Sequence, residues 1–177
     1  MNRELPKRKP LRLRGFDYNG TGTYFITVCT YGHQCLFGTI FPVGAIHESP
    51  GTALSPAGAI AKRHILQLPE RFPEVTLDSY AVMPNHIHLL MTVSSPGERA
   101  IRESPLQGER SRLSKTVGYL KMNVSRDIRK TLSLGEIWQR GYHDHIVRDE
   151  ADFLRIWTYI ENNPLKWELD CYYMEAP

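Results

Sequence analysis

Two histidines separated by one residue are the first candidates for chemistry in this chain. His86 and His88 lie in the stretch Val82–Met91, whose residue types predict a strand entered through a tight Pro-Asn turn. Because successive side chains of a strand point to opposite faces, both imidazoles project from the same face. Such a pair can give one divalent metal ion two nitrogen ligands, and a third ligand must then come from elsewhere. The alternative is a half-exposed strand whose histidines bind nothing.

The other face of the same strand is apolar. Its side chains form an unbroken row that suits a hydrophobic core, made of Ile87, Leu89, Met91 and Val93. The strand is therefore expected to separate a core from a polar site.

A tyrosine and an asparagine near the end of the chain are the next candidates. Tyr159 and Asn163 are four residues apart in a predicted helix, so they are neighbours on one face. They flank the predicted core stripe of that helix, which consists of Phe153, Ile156, Trp157 and Ile160. Packing alone would explain a tyrosine at such a position, and a proline after Asn163 would explain the end of the helix.

A second histidine pair, His143 and His145, competes with the first. The residue between them is Asp144, where the first pair has a bulky apolar residue. The different central residue makes the second pair the weaker candidate for a metal site, and a packing role is the expected one.

Composition sets the limits for the rest of the chain. The 177 residues, 41% hydrophobic and 23% charged, predict one globular domain with a sizeable core. A net charge of +3 permits a nucleic-acid partner without requiring one. Three cysteines without metal-ligand spacing argue against a disulfide framework and favour the cytoplasm. No apolar run is long enough to predict a membrane span or a signal peptide.

Hydrophobic periodicity predicts alternating strands and helices. Strands are expected at Tyr24–Thr30, Leu36–Val43, Val75–Met83, the histidine stretch and Tyr142–Arg148. Helices are expected from Ser55 to about Leu68, over residues 111–131 and from Asp149 to Asn163. Residues 1–14 form a basic arm, residues 44–53 a loop, and residues 94–110 a mobile loop without periodicity. This order predicts an α+β fold, an antiparallel sheet with helices packed on one face.

Five stretches of the chain resemble one family. Met83-Pro84-Asn85-His86-Ile87-His88 resembles the His-hydrophobic-His signature of the single-tyrosine HUH transposases, and residues 159–164 resemble their tyrosine helix. Residues 11–18, 24–30 and 137–148 are similar to one branch, the REP-associated tyrosine transposases. One short signature is weak evidence, but five stretches in the order of the family are strong evidence.

The resemblance implies a fold, an activity and a set of site residues. It implies a ferredoxin-like HUH domain that cuts and rejoins single-stranded DNA, at hairpins formed by palindromic repeats. Tyr159 would be the nucleophile that forms a 5′-phosphotyrosine link. His86, His88 and Asn163 would bind Mg²⁺ or Mn²⁺, which would polarise the scissile phosphate. A homodimer and a monomer are both compatible with the resemblance.

Two other functions remain open at this stage. A water molecule in place of Tyr159 would make the protein a metal-dependent phosphodiesterase. A chain that had lost its chemistry would be a DNA-hairpin-binding protein. The presence of all four residues, His86, His88, Tyr159 and Asn163, gives no reason to prefer such a loss.

The predicted DNA contacts are basic residues of the arm and of the helix over residues 111–131. They are Arg8, Lys9, Arg12, Arg14, Lys115 and Lys121. Deleting residues 1–14 should weaken the binding of a labelled DNA hairpin and leave metal binding unchanged. Since each phosphate contact on a single strand contributes about −0.7 to the slope of log affinity against log salt, the truncated protein should also show a flatter slope. Equal slopes for the two proteins would mean that the arm does not touch the DNA.

Overall fold

The computed structural model describes residues 20–40, 52–94 and 111–174. The predicted basic arm, the end of the predicted second strand and nearly all of the predicted mobile loop lie outside these residues. No helix in the described ranges is both long and apolar enough to cross a membrane.

Four antiparallel strands form the main sheet. They are β1 (Gly22–Cys29), β4 (Val75–Val82), β5 (His86–Val93) and β6 (His143–Ile146), arranged in the order β4-β5-β1-β6. Helix α1 (Pro56–Leu66) lies between β1 and β4 in sequence, and α3 (Arg112–Leu132) lies between β5 and β6. Two strand-helix-strand units are thus interleaved around the central strands β5 and β1. This arrangement confirms the predicted ferredoxin-like α+β fold.

One face of the sheet carries the larger hydrophobic core. Ile87, Leu89 and Met91 of β5 lie directly opposite Val28, Ile26 and Tyr24 of β1, and all six are buried. The apolar sides of α1 and α3 pack against this face. The predicted stripe of α3 is fully buried, comprising Leu113, Val117, Leu120, Val124 and Ile128. The predicted division of β5 into a core face and a histidine face is therefore confirmed.

The last helix, α4 (Glu150–Asn162), packs on the opposite face of the sheet. The prediction that all helices share one face is wrong for α4, although it holds for α1 and α3. The reason is that β5 presents Leu90 on its histidine face, where Ile156 and Ile160 of α4 pack on it. Trp157, predicted to belong to the core, is 42% exposed. It follows Ile156 by one residue, about 100° around the helix, and so leaves the narrow buried stripe.

Side-chain caps mark the starts of the three long helices. Ser55 accepts a hydrogen bond from the Gly58 amide at 3.1 Å, and Asp149 accepts one from the Asp152 amide at 2.8 Å. Ser111 caps α3 in the same way. These caps confirm the predicted helix starts. Proline at position 69 was expected to end the first helix, but α1 already ends at Leu66 and that proline lies in the first turn of the short α2 (Leu68–Arg71).

A small hairpin differs from the sequence prediction. β2 (Gly38–Ile40) pairs with β3 (Thr52–Leu54), whereas residues 52 and 53 were assigned to a loop. Three-residue strands carry too little periodicity to be recognised in sequence. The fifth predicted strand is also shorter than expected, since β6 covers only His143–Ile146.

The backbone of Phe37 joins this hairpin to α1 and to the histidine strand. The Phe37 amide donates to the Pro84 carbonyl at 2.9 Å, and its carbonyl accepts from the Ser55 amide at 2.9 Å. Gly58 in the first turn of α1 packs directly against that carbonyl, and a Cβ atom there would overlap the carbonyl oxygen of Phe37. A glycine at position 58 therefore allows α1 to approach the segment that leads to His86.

Gly58→Ala should destabilise the protein, although alanine favours helices over glycine. The added methyl group overlaps backbone atoms, and such overpacking costs about 1–3 kcal/mol of unfolding free energy. Gly118→Ala is the matched control, because a Cβ at this exposed position of α3 meets no atom of the described residues within 4 Å. The control should stabilise the protein by roughly 0.5–1 kcal/mol. Urea unfolding of both variants tests this prediction, and a stabilised Gly58→Ala would contradict it.

Candidate metal and tyrosine site

The predicted histidine pair lies buried at the start of β5. His86 is 0% and His88 is 1% exposed. Their Nε2 atoms are 2.9 Å apart, and their ring centroids are 4.4 Å apart. Both rings project from the face opposite the larger core, as predicted. The two nitrogens converge on one point, which is the arrangement that a shared metal ion requires.

Burial keeps both imidazoles neutral. Desolvation lowers the pKa of His86 to about 4, although the Asp170 carboxylate opposes this shift. Desolvation, and then the neighbouring His86, also lower the pKa of His88. Neutral imidazole is the form that binds a metal ion, because its free nitrogen keeps a lone pair. The pair is therefore ready to bind a cation at neutral pH.

Helix α4 places Tyr159 beside the histidine pair. The tyrosine hydroxyl lies 3.5 Å from Nε2 of His88 and donates a hydrogen bond to Oδ2 of Asp170 at 3.0 Å. Its ring meets the Phe25 ring edge to face, with centroids 5.9 Å apart. The side chain is 40% exposed, so the hydroxyl adjoins the buried pair while part of the ring faces solvent.

The pKa of Tyr159 is raised above that of a free tyrosine. Burial is the largest cause, and the negative charge of Asp170 adds to it. The Tyr159 side chain is therefore a neutral phenol in neutral solution.

Asn163 lies one helical turn after Tyr159 and is 3% exposed. Its Nδ2 donates to Oδ2 of Asp170 at 2.7 Å. Its Oδ1 is buried and has no hydrogen-bond partner among the described residues. A buried oxygen without a partner is costly unless an ion or another group satisfies it. The structure thus brings Asn163 to the site together with the three other predicted residues.

Asp170 is a site residue that the sequence analysis missed. One carboxylate oxygen accepts hydrogen bonds from Tyr159 and Asn163, and the other accepts one from the Tyr172 amide at 2.7 Å. Ligand atoms of His86, His88 and Asp170 all lie within 4.8 Å of one another. The aspartate follows the 3₁₀ segment Pro164–Leu169, which brings the chain back to the histidines. An acidic residue seven positions after Asn163 carries no periodic signal that could have revealed it.

These residues fit a divalent metal ion. Two neutral nitrogens and a carboxylate oxygen converge, and the unsatisfied Oδ1 of Asn163 is a further oxygen donor nearby. Imidazole together with oxygen donors suits a first-row ion such as Mn²⁺, and the oxygens also suit Mg²⁺. In the part of the chain that the structure describes, this is the one cluster of three or more such residues.

The two histidines of the second pair, His143 and His145, have different surroundings from those of the first pair. His145 binds the Asp152 carboxylate through Nε2 at 2.7 Å, and this contact links β6 to α4. Asp152 has its pKa lowered to about 2, chiefly by the hydrogen bond with His145 and next by that with Arg155. His143 is exposed. One member of the pair therefore has a structural partner.

The two predicted DNA contacts on α3 differ in their surroundings. Lys115 is exposed. Lys121 is half-buried and donates to the carbonyls of Gln139 and Gly141 at 2.7 and 2.6 Å, and burial lowers its pKa. These bonds compete with a phosphate for the Lys121 ammonium group. Arg8, Lys9, Arg12 and Arg14 lie outside the described residues.

Comparison with known proteins supplies relatives in sequence and in structure. No family profile matches the chain. An uncharacterized protein of Haemophilus influenzae is 31% identical over 182 residues, which cover 98% of this chain and 97% of that protein. A second protein of the same organism, described provisionally as a REP-associated tyrosine transposase, is 32% identical over 55% of this chain and 53% of its own length.

A solved structure shares the fold. The structure of a REP-associated tyrosine transposase bound to a REP hairpin is similar with a TM-score of 0.53 and 18% identity. The match covers 88% of this chain and 73% of that chain. The shared fold, the partial match to the provisionally described relative and the five motifs agree with one another, and the family that this chain resembles is the REP-associated tyrosine transposases.

Proposed function

We propose that this protein cleaves and rejoins single-stranded DNA at hairpins of palindromic repeats, with Tyr159 as the nucleophile. The observation that carries the proposal is the position of the Tyr159 hydroxyl, 3.5 Å from Nε2 of a buried, neutral histidine pair. The related structure that contains a REP hairpin supports the choice of DNA as substrate.

The proposed reaction exchanges one phosphoester bond for another. The Tyr159 oxygen attacks phosphorus, the bond from phosphorus to the 3′-oxygen breaks, and a 5′-phosphotyrosine forms. The phenol loses its proton, and the departing 3′-oxygen takes one up. Because the new bond keeps the energy of the phosphodiester, a second 3′-hydroxyl can reverse the step without ATP.

Each site residue has a distinct task in this proposal. Asp170 accepts the phenol hydrogen bond and so fixes the direction of the hydroxyl. His86 and His88, with Asp170 or Asn163 as oxygen donors, would hold Mg²⁺ or Mn²⁺. A divalent ion bound there would supply positive charge to the phosphate oxygens.

Basic residues would hold the rest of the DNA. The predicted contacts remain Lys115 and Lys121 on α3 and four residues of the N-terminal arm: Arg8, Lys9, Arg12 and Arg14. Such contacts act on phosphates and position the strand without reading its sequence. Sedimentation of the protein–DNA complex measures whether the hairpin is bound by a homodimer or by a monomer.

Tyr159→Phe should abolish the covalent protein–DNA adduct while hairpin binding persists. Phenylalanine keeps the ring contact with Phe25 but has no oxygen to attack phosphorus. A labelled single-stranded hairpin substrate, incubated with Mn²⁺ and run on a denaturing gel, measures the adduct directly. Cleavage without an adduct in the native protein would favour the water-using phosphodiesterase, and binding without cleavage would favour the silent hairpin-binding protein. An adduct that persists in Tyr159→Phe would refute the assignment.

His86→Ala and His88→Ala should each abolish Mn²⁺ binding, as measured by calorimetry, because each removes one of two convergent nitrogens. His143→Ala is the control and should bind Mn²⁺ like the native protein. Asn163→Ala and Asp170→Asn, tested alongside, identify which oxygen donor contributes to affinity. Thermal unfolding monitors the fold of every variant. Loss of Mn²⁺ binding only in His143→Ala would show that the metal site lies at the other pair.

A further inference from the structure

Asn85 has the geometry to fix the orientation of the first histidine. It is fully buried, and its Nδ2 donates to the backbone carbonyls of Tyr172 at 2.7 Å and His33 at 3.2 Å. Its Oδ1 lies 2.9 Å from Nδ1 of His86. Carbonyl oxygens accept hydrogen bonds and cannot donate them, so the two carbonyls determine which end of the amide is nitrogen. The amide oxygen must therefore face His86.

This orientation of Asn85 determines the tautomer of His86. An amide oxygen only accepts, so Nδ1 of His86 must carry the hydrogen. A neutral imidazole has only one such hydrogen, and Nε2 of His86 is therefore left with its lone pair. That lone pair points at Nε2 of His88, 2.9 Å away. His86 thus presents a ligand nitrogen whether or not an ion is bound.

His88 has a partner of a different kind. Its Nδ1 lies 2.9 Å from the hydroxyl oxygen of Thr27 on the neighbouring strand β1, and this contact is buried. A hydroxyl can donate or accept. Without an ion, Nε2 of His88 donates to Nε2 of His86, and the hydroxyl donates to Nδ1. When an ion is bound, Nε2 of His88 would offer its lone pair, and the hydroxyl would accept from Nδ1.

We propose that Asn85 and Thr27 are positioning residues of the metal site. Asn85 holds His86 in the tautomer whose Nε2 can bind the ion. Thr27 allows His88 to change tautomer when the ion binds. The inference rests on the proposed function, because it assigns these residues a purpose in metal binding. Partners of this kind orient ligand imidazoles, and their removal typically weakens metal affinity about 10- to 100-fold.

Thr27→Val and Thr27→Ser form a matched pair for the second histidine. Valine keeps the volume of threonine and removes the hydroxyl, whereas serine keeps the hydroxyl. Calorimetric titration with Mn²⁺ should show an affinity about 10- to 100-fold weaker for Thr27→Val and close to native for Thr27→Ser. Equal affinities for the valine variant and the native protein would overturn the role of Thr27.

Asn85→Ala and Asn85→Asp test the first histidine. Both variants lose the donated bonds to Tyr172 and His33, so both should unfold at a lower temperature. Asn85→Asp keeps an acceptor for Nδ1 of His86 and should retain Mn²⁺ affinity better than Asn85→Ala. Equal weakening in the two variants would show that Asn85 acts only through stability.

Nitrogen NMR of the metal-free protein separates this inference from the proposed function. The imidazole ¹⁵N shifts should show hydrogen on Nδ1 of His86 in the native protein and in Asn85→Asp, and a mixture of tautomers in Asn85→Ala. Hydrogen on Nε2 of His86 in the native protein would overturn the inference even if Mn²⁺ binds. A native protein with the expected tautomer that binds no Mn²⁺ would instead contradict the proposed function and the metal role given to both residues.

Discussion

Two imidazoles are buried on the central strand β5, and this burial determines which polar groups must surround them. β5 is paired on both sides and covered on both faces, and the chain is buried continuously from Ala81 to Met91. Polar groups in such a place cost free energy unless each nitrogen has a partner. The partners are Thr27 on a neighbouring strand, Asn85 in the turn before β5 and, for the two Nε2 atoms, the other histidine. Burial of His86 and His88 therefore defines a whole polar cluster in the interior of the protein.

The parts of this site that local patterns determine were predictable. Strand alternation placed His86 and His88 on one face, and helical spacing placed Asn163 one turn beyond Tyr159. Both features depend on residues close in sequence, where the geometry of a strand or helix is fixed. The helix starts at Ser55 and Asp149 were predictable for the same reason. The antiparallel sheet also followed from the order of strands and helices along the chain.

Features that depend on distant contacts were not predictable. Asp170 reaches the site only because the chain turns back after α4, and its sequence neighbours give no sign of this. The position of α4 depends on Leu90, an apolar residue on the histidine face whose importance appears only when both faces of β5 are covered. Trp157 is exposed although its neighbour Ile156 is buried, because each residue of a helix turns the side-chain direction by about 100°. In each case tertiary contacts, and not local preference, determine the outcome.

The two unequal hydrophobic clusters have a consequence for the stability of different parts of the molecule. Within the described ranges, the cluster beneath α4 contains 6 buried residues, whereas the cluster between the sheet, α1 and α3 contains 21. Local opening of a protein costs the free energy of the surface that it exposes, so regions with few buried contacts open most readily. Detaching α4 exposes only the smaller cluster and leaves the scaffold of the sheet intact. The helix that carries the tyrosine is therefore expected to open as a separate unit, with amide hydrogens that exchange with solvent faster than those of β1 and β5.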